Sequence, residues 1–247
     1  MKTIDLAIVI PTLNEEKFIG RLLDSIYFQS VHPKEICVVD ANSSDATIEE
    51  IEKRKFYLSQ IKILKVKRST AAKQRNIGAK STISNHLLFM DADMLMLSPN
   101  TLEKYMEEIY KKKPDSAAAF NYPLSDLWKD KIFFYGMNSV FALIKPFWPM
   151  ANGMNQYIRR DIFLKVGGYA EDIYLGEDSE IIQKIAKVGG KFIYLKSSKM
   201  YTSVRRYVLE GRRNYAIKML RSMYHITRYG YKGNPVEYPF GIFKTLQ

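Results

Sequence analysis

Leu6–Ile10 reads LAIVI, five apolar residues with no polar residue among them. A strand of that composition cannot keep one face in water. Both faces must be covered, as in a central strand of a parallel sheet. A second apolar strand is read at Ile36–Val39, and further strands at Ile61–Val66, His86–Met90 and Ala117–Tyr122. The segments between them have helical spacing. Phe18, Ile19, Leu22, Leu23 and Ile26 form one apolar face. Pro11 is predicted to end the first strand. Asn14 is the predicted N-cap of the following helix, with Glu15 and Glu16 in its first turn. Further helices are expected over Ala46–Leu58, capped from Ser43, Ser44 or Asp45, over Ala71–Ser81, and over Asn100–Lys112 behind Ser98-Pro99. Strands alternating with helices predict an α/β fold with a doubly wound, mostly parallel sheet.

The second half is less regular. Short helices are expected at Asp161–Val166, stopped by Gly167-Gly168, and at Ser179–Val188, stopped by Gly189-Gly190. Phe192–Leu195 is a predicted strand, and Arg205–Tyr229 a single long basic helix.

Composition excludes several classes. With 47% hydrophobic and 26% charged residues, the chain is neither disordered nor collagen-like. One cysteine, Cys37, leaves no disulfide framework or cysteine-rich zinc site, and its apolar surroundings make it a packing residue. His32, His86 and His225 show no ligand spacing. No stretch approaches the roughly 20 apolar residues of a membrane span. The N-terminus has no signal-peptide pattern, so the cytoplasm is the expected compartment. The net charge of +12 is lopsided: Lys191–Gln247 holds 12 basic residues against Glu210 and Glu237. That asymmetry points to an anionic partner or to a solvated basic face.

Open α/β sheets bind ligands beyond the carboxyl ends of their strands. Here the first strand runs into Pro11-Thr12-Leu13-Asn14-Glu15, the second into Asp40 and the fourth into Asp91-Ala92-Asp93. In an extended segment, residues two apart face the same way, so Asp91 and Asp93 are expected to aim at one spot. Two hard carboxylates suit Mg²⁺ or Mn²⁺ held together with a phosphate. No G-x-G-x-x-G follows the first strand, and neither Gly78-Ala79-Lys80-Ser81 nor Gly189-Gly190-Lys191-Phe192 completes a P-loop. A bound nucleotide diphosphate must then be held by a metal and basic side chains.

IVIPTLNEEKFIGRLLDSI, VVDANSSDAT, AAKQRNIGA, LLFMDAD and GGYAEDIYLGEDSEI occur in that order. Together they resemble the family 2 glycosyltransferases of the GT-A fold, over about Ile8–Tyr194, roughly three quarters of the chain. SVRRYVLEGRR resembles the Arg-Arg-aromatic run of small members. The resemblance implies a GT-A domain over residues 1–204, with a basic helical extension over 205–247 packed on it. It implies metal-dependent, inverting transfer of one sugar from a nucleoside diphosphate sugar, UDP-linked first, to an acceptor. By matching motif, Pro11, Thr12 and Glu15 lie against base and ribose, and Asp40 contacts the base. Lys73 and Arg75 belong to the segment beside the nucleotide. Asp91 approaches ribose and metal, and Asp93 ligates the Mn²⁺ or Mg²⁺. Asp178, with Glu177, takes the general-base position, and Asn152 and Gly153 sit near the donor sugar. Arg205 and Arg206 are candidates for holding the diphosphate. Ala41 departs from the usual Asp-Gly-Ser-Ser-Asp, and the Gln-x-x-Arg-Trp motif of processive members is missing.

Plainer readings stand beside these. Asp178 also suits an N-cap, Asp45 is read as a cap, and Lys73 and Arg75 also suit a solvated face. Trp128–Trp148 is rich in Phe, Tyr and Met between basic edges. That pattern fits a helix at a membrane interface serving a lipid or lipid-linked acceptor, or a buried core or dimer helix. A sugar nucleotidyltransferase lacks its expected Gly-rich first loop here. A nucleic-acid binder would have to tolerate strand-end acids that repel a polyanion.

Overall fold

The computed structural model describes residues 2–151, 153–173, 175–233 and 236. The first strands and helices alternate: β1 (Lys2–Thr12), α1 (Ile19–Tyr27), β2 (Val31–Asp40), α2 (Thr47–Glu52), β3 (Ile61–Lys65), α3 (Ala71–Lys80) and β4 (His86–Met90). Then follow β5 (Met94–Leu95), α4 (Thr101–Lys112), β6 (Ser116–Pro123), α5 (Trp128–Ile144), β7 (Asn155–Arg159) and α6 (Arg160–Lys165). The chain continues through α7 (Glu177–Lys187), β8 (Phe192–Thr202), α8 (Arg205–Glu210) and α9 (Arg212–Tyr229). The strands form one sheet in the order β3-β2-β1-β4-β7-β6-β8-β5.

The apolar run in β1 explains the centre of this sheet. Leu6, Ile8 and Ile10 face one core with α1 and α4, through Leu22, Leu23, Ile26, Leu102 and Ile109. Ala7 and Val9 face a second core with α3 and α7, through Ala72, Ala79, Ile181, Ile182 and Ile185. Each such side chain contributes roughly 1.5–3 kcal/mol when fully buried. The β1–β2, β1–β4, β2–β3 and β6–β8 pairs are parallel, while β4–β7, β6–β7 and β5–β8 are antiparallel. Cys37 is buried, and its thiol is pushed up to about 11 by that burial.

Local chemistry revises several expected boundaries. β1 does not end at Pro11 but pairs onward to Thr12, opposite Asp40. Thr12 donates its N–H to Gln74 Oε1 at 2.9 Å. Asn14 is no N-cap. It has φ 57°, and Ser44 donates its N–H to Asn14 Oδ1 at 2.9 Å. Phe18 takes the cap position without a side-chain cap bond, and α1 has no acid in its first turn. α2 stops at Glu52, well short of Leu58. Asp45 does act as a cap, since Thr47 donates its N–H to Asp45 Oδ1 at 3.0 Å. Asn100, not Ser98, precedes α4. The single helix expected over Arg205–Tyr229 is two helices. Gly211, at φ 79° and ψ 132°, breaks it with a backbone that other residues rarely adopt.

α5 is not a buried core helix: of its residues only Asp130 and Phe134 are buried. α8 and α9 dock on it through Phe134, Tyr207 and Tyr215, with Phe133 and Met219 against them. Arg212 clasps Asp130 through Nε at 2.6 Å and Nη2 at 3.0 Å. Among the described residues, no helix is long and apolar enough to cross a membrane.

Candidate active site

The carboxyl ends of β1 and β4 open into one cavity of about 1130 Å³, closed on its far side by α5, α8 and α9. Pro11, Glu15, Lys73, Arg75, Asp91, Asp93, Gly153, Glu177, Asp178, Arg205 and Arg206 all line it. Glu15 and Arg205, 190 positions apart in sequence, therefore meet at one place.

Two arginines organise the acids. Arg75 comes from α3, whose small residues Ala72 and Ala79 pack against β1 and β2 in the second core. It is 3% exposed, so it is not a surface cation. Its Nη2 lies 2.8 Å from Asp91 Oδ1 and its Nη1 2.8 Å from Glu177 Oε1. Burial works against this charge, but Asp91 and Glu177 outweigh it and hold the guanidinium firmly protonated. Its face also lies 5.4 Å from the centre of the Tyr169 ring. Arg205, from α8, does the same for a second pair. It meets Glu15 in bidentate fashion at 2.8 and 2.7 Å, and its Nε is 3.1 Å from Asp93 Oδ2. The expectation of a solvated basic face therefore fails at Arg205.

Burial raises the acids. Glu15, 5% exposed, is pushed up to about 7 by desolvation, although Arg205 pulls the other way. Asp93 is raised for the same reason, with Arg205 again opposing. Asp178 is pushed up to about 7, first by burial and then by the neighbouring Glu177 charge, against the pull of Arg75. Asp178 sits inside the first turn of α7, not at its cap; Gly176 holds the cap position. Its Oδ2 accepts the Gly153 N–H at 2.6 Å, and its Oδ1 accepts the Ser179 N–H at 2.7 Å. Gly153 packs tightly here: an added Cβ would lie 3.0 Å from Asp178 Cβ and 3.1 Å from Arg75 Nη2, so both neighbours would have to give.

Asp91-Ala92-Asp93 is a turn rather than an extended pair, with Met94 donating its N–H to Asp91 O at 3.1 Å. The two carboxylates share the cavity because the turn curls over it, not through strand alternation. Thr12 and Asp40 lie behind the wall, 0% and 1% exposed. Ser43 donates its N–H to Asp40 Oδ2 at 2.9 Å and its hydroxyl to Oδ1 at 2.5 Å. The loop's left-handed residue is Asn42, at φ 64°, and not Ala41. Lys73 is exposed at the rim. Asn152 lies outside the described residues.

Sequence reasoning missed Arg68 and Glu171, which also line the cavity. Glu171 lies within the GGYAEDIYLGEDSEI stretch and accepts from Asn76 Nδ2 at 3.0 Å. That bond ties α3 to the loop before α7.

Six carboxylates and five basic side chains line the cavity, so a diphosphate entering it brings charge that its walls do not balance. Among the described residues no group of three or more His, Cys, Asp or Glu is arranged to hold a metal. Asp91 and Asp93 still fit a divalent cation of the kind that takes one or two carboxylates and completes its shell with phosphate and water.

The family model described as glycosyl transferase family 2 matches residues 7–166. The O-antigen chain rhamnosyltransferase RfbN of Salmonella typhimurium is 24% identical over 213 residues, covering 76% of this chain and 63% of RfbN. Poly(ribitol-phosphate) beta-N-acetylglucosaminyltransferase TarS of Staphylococcus aureus is 34% identical over 91 residues, covering 35% of this chain and 16% of TarS. The structure of TarS 1-349 with UDP-GlcNAc superposes with a TM-score of 0.65 at 19% identity, covering 96% of this chain and 68% of that one. The mannosyltransferase PcManGT of Pyrobaculum calidifontis, solved with GDP-Man and Mn²⁺, gives 0.71 at 21% identity, covering 90% of this chain and 62% of that one. These likenesses show the GT-A fold. The chain spans less than two thirds of the length of RfbN and of TarS.

Proposed function

The chain belongs to glycosyl transferase family 2, and from that membership we propose that it transfers one sugar, with inversion, from a nucleoside diphosphate sugar to an acceptor hydroxyl. The observation that supports this most is the meeting of Asp91 and Asp93 with Glu177 and Asp178 in one cavity, joined through Arg75.

In this reading Asp178 is the general base. A hydroxyl is too weak an acid to ionise at neutral pH, so its proton must leave as the oxygen attacks. A carboxylate held near pH 7 is matched to that task. The acceptor oxygen bonds to the anomeric carbon from the face opposite the diphosphate, the carbon–oxygen bond to the diphosphate breaks, and Asp178 keeps the proton. The Gly153 and Ser179 N–H groups fix the carboxylate in place. Glu177 is held off the reaction by its pair with Arg75. Asp91 and Asp93 would hold Mn²⁺ or Mg²⁺, which supplies Lewis-acid stabilisation of charge on the leaving diphosphate. Arg205 and Arg206 stand on the same wall, suited to the remaining phosphate charge. Pro11 and Lys73 flank the nucleoside side. Thr12 and Asp40 support it from behind by bracing the loops after β1 and β2. The UDP-GlcNAc and GDP-Man bound by the two structural relatives make UDP and GDP the first nucleotides to try.

A thermal shift series with UDP, GDP, CMP and dTDP, each with Mn²⁺, Mg²⁺ or EDTA, tests the reading. Ligand at about a hundred times its dissociation constant adds roughly 2.7 kcal/mol, which is roughly 5–10 °C for a chain of this size. One nucleotide is expected to give a shift that needs metal and is lost in Asp93→Ala. No shift with any of them would overturn the reading.

A further inference from the structure

The cavity has two unlike halves. Its floor is carboxylate and guanidinium, but its outer wall is hydrocarbon. Phe133, Met137 and Val140 of α5 face it from one side, and Met219, Leu220 and Met223 of α9 from the other. The donor chemistry proposed above has no use for this wall, since a sugar and a diphosphate are both polar. The wall continues outward into solvent: Ile132 is 62% exposed, Val140 46%, Leu143 73% and Leu220 65%. Soluble proteins rarely leave contiguous apolar surface of this kind without a partner. Gly136 lines the same wall, and a Cβ there would meet nothing within 4 Å, so open space runs along α5.

Charge narrows the occupant. α9 carries Arg212, Arg213, Lys218, Arg221 and Arg228 and no acid. The single acid of α5, Asp130, is consumed by Arg212. Lys129, Lys131, Arg213, Arg221 and Arg228 are exposed around the apolar strip. Exposed Asp126 lies 4.0 Å from Lys131, but the cations outnumber it. Apolar side chains flanked mainly by cations complement an anionic lipid surface, where basic residues meet headgroups and apolar ones meet acyl chains.

We propose that the acceptor is an amphiphile: its hydroxyl-bearing head reaches Asp178, and its hydrocarbon chain lies between α5 and α9, delivered from an anionic bilayer. The head-group half of this rests on the transferase reading; the chain-binding half does not.

The chain's only tryptophans are Trp128, the first residue of α5, and Trp148, just beyond its end, so both report on that helix. Their fluorescence is followed while maltose and hexyl, octyl and decyl maltoside are added below micelle-forming concentrations. Each added pair of methylenes is expected to tighten binding about tenfold, as burial of two CH₂ groups implies, with no response to maltose. Val140→Glu and Leu220→Glu alter exposed positions that the fold can spare. Each is expected to weaken decyl maltoside at least about tenfold and to leave the nucleotide-dependent thermal shift intact. Flotation is expected with phosphatidylglycerol vesicles at low salt and not with phosphatidylcholine vesicles. Equal binding along the series, or a chain-length dependence that survives both substitutions, overturns the channel. Absence of flotation with phosphatidylglycerol overturns the delivery. Loss of the nucleotide shift with chain-length dependence retained would instead sink the donor reading and leave the channel standing.

Discussion

The floor of the cavity and the arm that roofs it are built on opposite principles. The floor rests on β1, β2 and β4, where Leu6–Ile10, Ile36–Val39 and Leu87–Met90 are all 0% exposed and covered on both faces. The arm, α5 with α8 and α9, is held by a small cluster, Phe134, Tyr207 and Tyr215, by the Arg212–Asp130 clasp, by Arg205 reaching down to Glu15 and Asp93, by the Asn138 bond to Asn121 O of β6, and by Ile226 packed at Gly176. Close packing fixes positions to fractions of an ångström and is the setting in which preorganised charges are most effective. A sparsely held element opens at lower free energy than the domain that carries it. Chemistry that needs a fixed carboxylate thus sits on the floor. The wall that must admit a bulky acceptor sits on the arm.

Asp178→Asn probes the floor hardest. It keeps the size of the side chain and can still accept from Gly153, so the nucleotide shift should persist while transfer falls about 10²- to 10⁴-fold, the usual worth of a positioned base. The wild type should also show an acid limb. Below about pH 7 Asp178 carries the proton that the base must be free of, so the rate drops as pH falls. Linkage runs the other way. Between the usual 3.8 of an aspartate and about 7, the native state keeps a proton that the unfolded chain has lost, so this group removes stability as pH rises. Asp178→Asn should abolish both slopes. A rate profile unchanged in that variant would place the base elsewhere.

The two arginines sharpen the contrast. Arg75→Met leaves Asp91 and Glu177, which face the cavity at 34% and 17% exposure, without their shared cation, and is expected to cost about 1–3 kcal/mol in urea denaturation at pH 7. Arg205→Met strands Glu15 and Asp93 in the same formal way. Glu15 already stands near pH 7, however, and can escape by taking up a proton. The cost should therefore be smaller, and it should shrink further as pH is lowered toward 6. Equal costs would mean that the arm is as rigid a part of the site as the floor.

The same division governs what was legible in the sequence. Continuous apolar runs betray buried parallel strands because nothing else tolerates them, so the sheet centre and the carboxylates at its strand ends could be read directly. Cross-chain bonds could not. Asn14 looks like a helix cap until Ser44, 30 positions away, occupies its side chain. Glu15 looks like a first-turn acid until Arg205 clasps it from 190 positions away. Arg205 belongs to a basic run that reads as surface, and Arg75 to a helix with three basic residues that reads as solvated; only packing decides which cation is swallowed. Gly211 inside a helical pattern was the visible warning that Arg205–Tyr229 would break. Asp91 and Asp93 both line the cavity, though a turn and not strand alternation brings them there.

The smallest effect on global stability, and the most direct test of the arm, comes from Phe134→Ala. Phe134 is 2% exposed and stacks edge-on with Tyr207 at 5.3 Å. In a continuous core such a truncation costs about 3–5 kcal/mol of the whole fold. In a satellite cluster, separate from the two cores that cover the sheet, the loss is expected to fall on local opening instead. Hydrogen exchange should therefore quicken across α5, α8 and α9 while amides in β1, β2 and β4 keep their protection and the main melting transition barely moves. If protection fell equally in β1 and in α9, arm and floor would be one cooperative unit. The acceptor wall would then be as fixed as the base that it faces, and an amphiphile would have to fit it as found.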